Sequence, residues 1–184
     1  MRLENSFEVP ASPDTVWALL MDVPRVIPCM PGAKLDEELD ATTWKATMNV
    51  KLGPIALTFA TDVKREEADT AARRTKLAAK AREARGRGNA QATIESSLTS
   101  QNGGTRVDIV TDLALSGAVA QYGRGIVVDV SSQLVKQFAD CLKAQLATPE
   151  EARAAVAAQA RPVSGLRLGA VALWRAFVRL FRRR

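Results

Sequence analysis

From Thr43 to Leu115 the chain repeats with a period of two, and after Gly117 the period changes to that of a helix. Apolar residues take alternate positions in five successive segments, at about 43–51, 55–63, 73–83, 89–99 and 105–115. Such alternation is typical of β-strands with one buried face. Glycine-containing turns at 53–54, 86–88 and 102–104, and a polar connection at 66–70, favour hairpins. The pattern therefore predicts an antiparallel meander.

The segments on either side of this meander complete the predicted order. Residues 3–9 alternate as a strand, and Ser12-Pro13-Asp14 supplies the start of a short helix that runs to about Met21. Three prolines in 24–31 limit the next stretch to a turn or two of helix. After Gly117 one apolar stripe marks a single long helix, with Val127, Val130, Leu134, Phe138, Cys141 and Leu142. We therefore predict an α+β fold with about six antiparallel strands, whose inner face the long helix covers.

Charge divides the chain into three parts. The net charge is +6, yet residues 1–148 hold equal numbers of basic and acidic side chains, and residues 165–184 hold six arginines and no acid. The segment TPEE at 148–151 resembles a helix start, and the alanine-rich run after it ends before Pro162. We therefore predict a globular domain at 1–148, an Ala-rich helical spacer at 149–164 and a basic amphipathic helix at 165–184.

The chain contains no histidine, which excludes several kinds of catalytic site. Ser-His-Asp triads, Cys-His dyads, imidazole zinc sites and histidine proton shuttles all need that ring. Cys29 and Cys141 are far apart in the sequence and form neither a CxxC motif nor a metal-ligand pair. We interpret them as small buried hydrophobic residues in a reducing compartment. The first ten residues lack the apolar run of a secretory signal, so the expected location is cytoplasmic.

Many inward positions of the predicted sheet carry small residues: Ala46, Thr61, Thr75, Ala79, Ala81, Ala90, Ala92, Ser96 and Thr111. Because protein interiors are close-packed, a nearer helix, a few large side chains or a ligand must occupy the space above them. The residues leave these alternatives open. A cavity here would be apolar with a few hydroxyls and, apart from Glu83, few acids or bases. Such a lining suits binding a hydrophobic molecule better than transforming one.

Four short motifs carry a resemblance to a known family: CMPGA at 29–33, KLGPI at 51–55, GGT at 103–105 and GAVAQYGRG at 117–125. Together with the order of elements, they resemble the CoxG family of carbon monoxide dehydrogenase subunits, in the START-like, or SRPBCC, superfamily, over residues 1–146. Met30 departs from the branched residue usual at its position. The resemblance implies a helix-grip fold, in which an antiparallel sheet wraps around a long C-terminal helix and a hydrophobic ligand lies between them.

The resemblance also implies a function. It indicates a non-enzymatic, membrane-associated accessory protein that binds an isoprenoid quinone, menaquinone or ubiquinone, and serves carbon monoxide dehydrogenase or a related molybdenum hydroxylase. No catalytic residue, covalent cofactor or metal is expected. The side chains expected to contact the quinone are Leu20, Ile27, Met30, Met48, Leu57, Phe59, Leu77, Ala79, Ala92, Ile94, Ile109, Leu113, Val130, Leu134 and Phe138. Two alternatives are a recruitment adaptor with a closed cavity and, disfavoured by the missing histidine, a START-like cyclase or hydrolase.

Residues 165–184 predict a helix that lies in the surface of an anionic membrane, on its cytoplasmic face. On a helical wheel the large apolar residues share one arc and most arginines take the opposite arc. The longest apolar run, 168–174, is far shorter than the roughly 20 residues of a spanning helix. Docking on the domain or on a partner subunit is the alternative. The predicted membrane contacts are Leu166, Arg167, Val171, Leu173, Trp174, Arg175, Phe177, Val178, Arg179, Leu180, Phe181, Arg182, Arg183 and Arg184.

Other basic patterns receive a structural interpretation, and no nucleic acid is expected as a partner. The basic run at 73–87 lies near acids at 62–69, which favours cross-strand pairing on a solvated face. The glycines at 86–88 and 123–125 lack the spacing of a phosphate-binding loop and are interpreted as turns.

Overall fold

Seven strands form one antiparallel sheet in the computed structural model, which describes residues 1–52 and 55–147. In this part of the chain they are β1 (Arg2–Val9), β2 (Ala33–Asp40), β3 (Thr43–Leu52), β4 (Ile55–Asp69), β5 (Arg74–Glu83), β6 (Gly88–Gln101) and β7 (Gly104–Gly117). Their order in the sheet is β1-β7-β6-β5-β4-β3-β2. The predicted turn at 53–54, spacer at 149–164 and basic helix at 165–184 lie outside the described residues.

The helices begin where the sequence places them. Ser12 Oγ accepts a hydrogen bond from the backbone N–H of Thr15 at 3.3 Å and caps α1 (Pro13–Met21). A short α2 (Val23–Val26) and a 3-10 turn (Ile27–Cys29) follow. After β7 a second 3-10 turn (Ala118–Tyr122) leads into the long α3 (Gly123–Leu146). Among the described residues, none of the helices has the length and apolar character needed to cross a membrane.

The small inward residues lie side by side across the sheet. The register aligns Ala46 on β3 with Thr61, Ala81, Ala90 and Leu115 on the four strands that follow. In the next row Ala79 and Ala92 are neighbours, and Leu113 follows them on β7. The inner face therefore has a shallow floor over its middle strands.

The main core closes one end of this sheet. Trp17 and Leu19 of α1 pack there with Phe138 and Leu142 of α3, and Phe7 of β1 meets the Phe138 ring edge to face, with the ring centres 6.0 Å apart. These contacts hold the C-terminal half of α3 against the sheet. The N-terminal half of α3 lies over the small-residue floor.

Two strand boundaries differ from the sequence prediction. β2 was not predicted, and β4 continues through the stretch at 66–69 that we expected to be a polar connection. β2 is an edge strand with the sequence AKLDEELD, it has a register shift after Leu35 and another after Glu38, and most of its residues are exposed. An edge strand with little buried surface carries no apolar alternation. The pattern that identifies the other strands is therefore missing from β2.

The interpretation of the two cysteines as separate thiols is wrong. Cys29 and Cys141 form a disulfide that joins the first 3-10 turn to α3, with 5.3 Å between their Cα atoms. Gln145 Nε2 donates to the backbone carbonyl of Arg25 and lies 3.2 Å from Cys29 Sγ, so the same turn of α3 also contacts this loop through hydrogen bonds. Disulfides are typical of oxidising compartments, so the cysteines no longer support a reducing one.

Candidate ligand-binding site

A cavity of about 380 Å³ lies between the inner face of the sheet and α3. Strands β1 and β3–β7 form its floor and sides, and Val127, Val130 and Leu134 of α3 form its roof. Of the described residues on its wall, Thr111 and Ser131 are the ones with polar side chains, and none carries a charge. The wall therefore offers an apolar surface with two hydroxyls and no acid or base.

The cavity exists because the floor is small and α3 does not approach it closely. Of the alternatives that the sequence left open, a filling by large side chains applies at the α1 end only. There Trp44 is buried, the Arg65 guanidinium carbon lies 5.0 Å from the centre of its ring, and Arg65 Nη2 donates to the Met21 carbonyl at 2.8 Å. Over the middle strands the described side chains leave the space between floor and helix open.

Most of the predicted contact residues meet at this cavity. Its wall includes Met30, Met48, Leu57, Phe59, Ala92, Ile94, Ile109, Leu113, Val130, Leu134 and Phe138. Leu77 and Ala79 face the same side of the sheet but lie beside Arg65 and Val63, in the rows to which Arg65 and Trp44 belong. Leu20 packs into the main core instead, and Ile27 lies in the 3-10 turn before Cys29. These four residues are not on the cavity wall.

The wall also contains residues that were not predicted as contacts: Leu3, Val50, Ala81, Ala90, Thr111, Leu115, Val119, Val127, Ser131 and Val135. The sequence pattern could have indicated Ala81, Ala90 and Thr111, because they belong to the small inward residues. It could also have indicated Val127, which lies in the apolar stripe of α3. No sequence pattern indicates Leu3 and Val119, since contacts of β1 and of a 3-10 turn with the middle of the sheet depend on the tertiary fold.

An outer groove adjoins the cavity between β1 and α3. Leu3 and Ser131 line both spaces, and the groove is also lined by Arg124 and Val128 of α3 and by Asn5 of β1. Asn5 Nδ2 donates to Ser131 Oγ at 3.2 Å across the gap between strand and helix. The cavity therefore lies close to the surface on this side.

Glu83, the one acid that the sequence placed near the cavity, is held by fixed donors. Its side chain is buried, and it accepts from Arg87 Nη2 at 2.8 Å and from the backbone N–H groups of Arg85 and Arg87. These contacts lower the pKa of Glu83 from 4.5 to about 2, and the hydrogen bond from the Arg87 side chain has the largest effect. The Arg87 carbonyl in turn accepts from Val119 N–H, which places Val119 on the cavity wall. Glu83 is therefore an anchor of this loop and is poorly suited to donate a proton.

This anchor predicts a pH dependence of stability. Because the folded pKa of Glu83 lies below its unfolded value, its stabilising effect is complete above about pH 4.5 and is lost as the pH falls towards 2. Between pH 5 and pH 3, the urea midpoint of the protein should fall more steeply than that of Glu83→Gln. Glu95→Gln, which removes an exposed carboxylate from β6, controls for the change in net charge. Parallel curves for all three proteins would contradict the role given to Glu83.

Comparisons with known proteins agree on the architecture. The family model of CoxG, a subunit of carbon monoxide dehydrogenase, matches residues 6–147. A conserved protein from Geobacillus kaustophilus superposes with a TM-score of 0.71 at 20% identity, over 79% of this chain and 95% of that one. No curated protein matches the sequence significantly.

Two further solved structures share the fold at lower similarity. The Zhui aromatase/cyclase from Streptomyces sp. R1128 has a TM-score of 0.57 at 14% identity and covers 79% of this chain and 93% of its own. Ara h 8.0201 has a TM-score of 0.52 at 14% identity, over 75% and 92% of the two chains. The fold is thus the START-like, or Bet v 1-like, helix grip, as the sequence predicted.

Proposed function

The chain belongs to the CoxG family of carbon monoxide dehydrogenase subunits, and from this premise we propose that its cavity holds an isoprenoid quinone. In this proposal the protein is an accessory subunit that links carbon monoxide dehydrogenase, or a related molybdenum hydroxylase, to the quinone pool of the membrane. The observation that carries the proposal is the apolar cavity between sheet and α3.

The size and lining of the cavity support a small hydrophobic ligand. A volume of about 380 Å³ falls within the range of roughly 300–1,000 Å³ that is typical of small-molecule sites. Apart from Thr111 and Ser131, its wall is built from aliphatic side chains, two methionines and two phenylalanines. Methionine adapts to irregular apolar shapes, which suits a flexible isoprenoid chain.

The charge of the wall favours a neutral ligand over a fatty acid or another anion. An ionised group loses much of its hydration when it enters an apolar site, and it needs a partner charge there. The described wall offers hydroxyls and no cation. A quinone carries no charge, and its carbonyls need hydrogen-bond donors only, so it avoids this penalty.

Lipid extraction of the purified full-length protein, followed by mass spectrometry, tests the proposal. We expect menaquinone or ubiquinone to be recovered in a stoichiometric amount, with no comparable enrichment of phospholipid or fatty acid. Recovery of an anionic lipid in place of quinone would overturn it. Recruitment of the dehydrogenase to membranes by a protein without any bound lipid would favour the adaptor function instead.

We also propose that residues 165–184 attach the protein to the membrane surface. Near an anionic bilayer each arginine contributes on the order of 1 kcal/mol, which adds to the insertion of the apolar arc. Deleting these residues should move the protein from the vesicle pellet to the supernatant in co-sedimentation with anionic vesicles. Quinone binding by the remaining chain should stay unchanged.

Point variants separate the contribution of the apolar arc to vesicle binding from the contribution of the arginines. Phe177→Glu should reduce vesicle binding even at low salt, since it places a charge on the apolar arc. Gln159→Glu adds the same charge in the spacer and should bind almost as well as the unaltered protein. The salt dependence of binding should persist in both, because screening acts on the arginines. Equal sedimentation of the truncated and full-length proteins would show that the anchor lies elsewhere.

A further inference from the structure

The two hydroxyls on the cavity wall lie at the same side of the cavity. Thr111 on β7 is paired with Leu3 on β1, and Asn5 lies two residues further along β1. Asn5 Nδ2 donates to Ser131 Oγ, which connects this part of β1 to α3. We call Thr111 and Ser131, with Asn5 beside them, the hydroxyl end of the cavity.

The hydroxyl end can donate hydrogen bonds to a ligand. In its contact with Asn5 the Ser131 oxygen is the acceptor, so the proton of that hydroxyl is available to a second partner. The Thr111 hydroxyl brings a further rotatable donor to the wall. A carbonyl oxygen of a bound molecule would find partners here.

Among the residues that the structure describes, the opposite end of the cavity has no comparable groups. Met30, Met48, Val50, Leu57 and Phe59 line it, and none of these side chains is a hydrogen-bond donor. A carbonyl placed among them would lose its bonds to water without replacement. An isoprenoid chain has no such bonds to lose.

From this asymmetry we propose that the cavity holds its ligand in one orientation, with a carbonyl-bearing head group at the hydroxyl end and the apolar chain directed towards Met30 and Val50. The ligand class rests on the proposed function. The orientation rests on the placement of the hydroxyls. Because Leu3 and Ser131 also line the outer groove, this orientation puts the reducible ring near the surface between β1 and α3.

Removing the hydroxyls from the full-length protein tests the position of the head group. The variants are Thr111→Val, which keeps the shape of the side chain, Ser131→Ala, and the two combined. The probes are 2-methyl-3-geranyl-1,4-naphthoquinone and the corresponding naphthalene without carbonyl oxygens, each measured by displacement of Nile red. The controls are Thr93→Val on β6 and Ser116→Ala on β7, both on the outer face of the sheet.

Each lost hydrogen bond should weaken quinone binding by roughly 2- to 10-fold. The double variant should therefore bind the quinone about 10-fold more weakly and bind the naphthalene within twofold of the unaltered protein. Equal weakening of both probes, or no change for the quinone, would overturn the orientation and leave the proposed function standing. Failure of the unaltered protein to bind either probe would overturn both.

A second variant tests the position of the chain. Val50→Trp adds bulk at the far end, where Val50 is half-buried, so the sheet can accommodate it. It should weaken the geranyl quinone at least 10-fold and leave 2-methyl-1,4-naphthoquinone, which has no chain, within about twofold. The double hydroxyl variant should weaken both quinones. If Val50→Trp rejects the chainless quinone as strongly as the geranyl quinone, the proposed direction of the chain is wrong.

Discussion

Replacement of Ala92 with Trp should abolish quinone uptake while the fold survives. Ala92 lies on the cavity floor between Ala79 and Leu113, and its side chain faces the roof formed by α3. Tryptophan is a large side chain that buries roughly 150–250 Å² of surface. Its indole would therefore fill much of the space above this position. Added bulk typically costs about 1–3 kcal/mol in a filled core and less in a void. The measurement is quinone retained per folded protein after lipid extraction, together with the thermal midpoint.

A matched variant separates loss of the cavity from loss of the fold. Ala114 is exposed on the outer face of β7, next to the cavity-lining Leu113, so Ala114→Trp adds the same side chain to the opposite face of the sheet. It should retain quinone at the level of the unaltered protein. If folded Ala92→Trp takes up as much quinone as Ala114→Trp, the ligand does not bind in this cavity.

Reduction of the Cys29–Cys141 disulfide should greatly lower the free energy of unfolding of the domain. The two residues are 112 positions apart, and in the chain-entropy account a cross-link over a loop of this length stabilises by about 4–5 kcal/mol. Strain in the folded state or structure in the reduced unfolded chain would lower this figure. Urea unfolding with and without a phosphine reductant measures the difference.

The controls for this experiment follow from the cysteine count. The chain has two cysteines, so the oxidised protein should show no reactive thiol and the reduced, unfolded protein two. In Cys29→Ala/Cys141→Ala the reductant should have no effect, and the urea midpoint should match that of the reduced protein. An unchanged midpoint upon complete reduction would contradict the stabilising role of the disulfide.

The strands that the sequence predicted are those that bury one face. Trp44, Ala46 and Met48 of β3 alternate with exposed or half-buried polar residues because one side of that strand faces the interior. β2 lies at the edge and pairs Lys45 with Glu37 and Thr47 with Asp36 through exposed side chains, so its sequence is that of a solvated surface. An acidic edge strand such as β2 can be identified only from the strand that it pairs with. The sequence alone does not show this pairing.

The cavity could be predicted in part for the same physical reason. Small residues such as Ala81, Ala90 and Ala92 indicate a shallow floor, since each inward position is fixed by the period of the strand. The height of the roof depends on where α3 lies. Phe138 and Leu142, in the main core, and the disulfide at Cys141 determine that position through contacts with residues more than a hundred positions earlier in the chain. No local spacing carries this information.

The disulfide also determines how the domain responds to mechanical load. A force applied to the chain beyond Ala147 enters the domain at the C-terminal end of α3, and a helix pulled from its end unravels turn by turn. Cys141 lies five residues before the last residue of α3, Leu146, and is covalently bound to Cys29. Unravelling would therefore stop at Cys141, and the tension would pass through the sulfur atoms into the loop after α2. The part of α3 that roofs the cavity lies N-terminal to Cys141 and is shielded from that load.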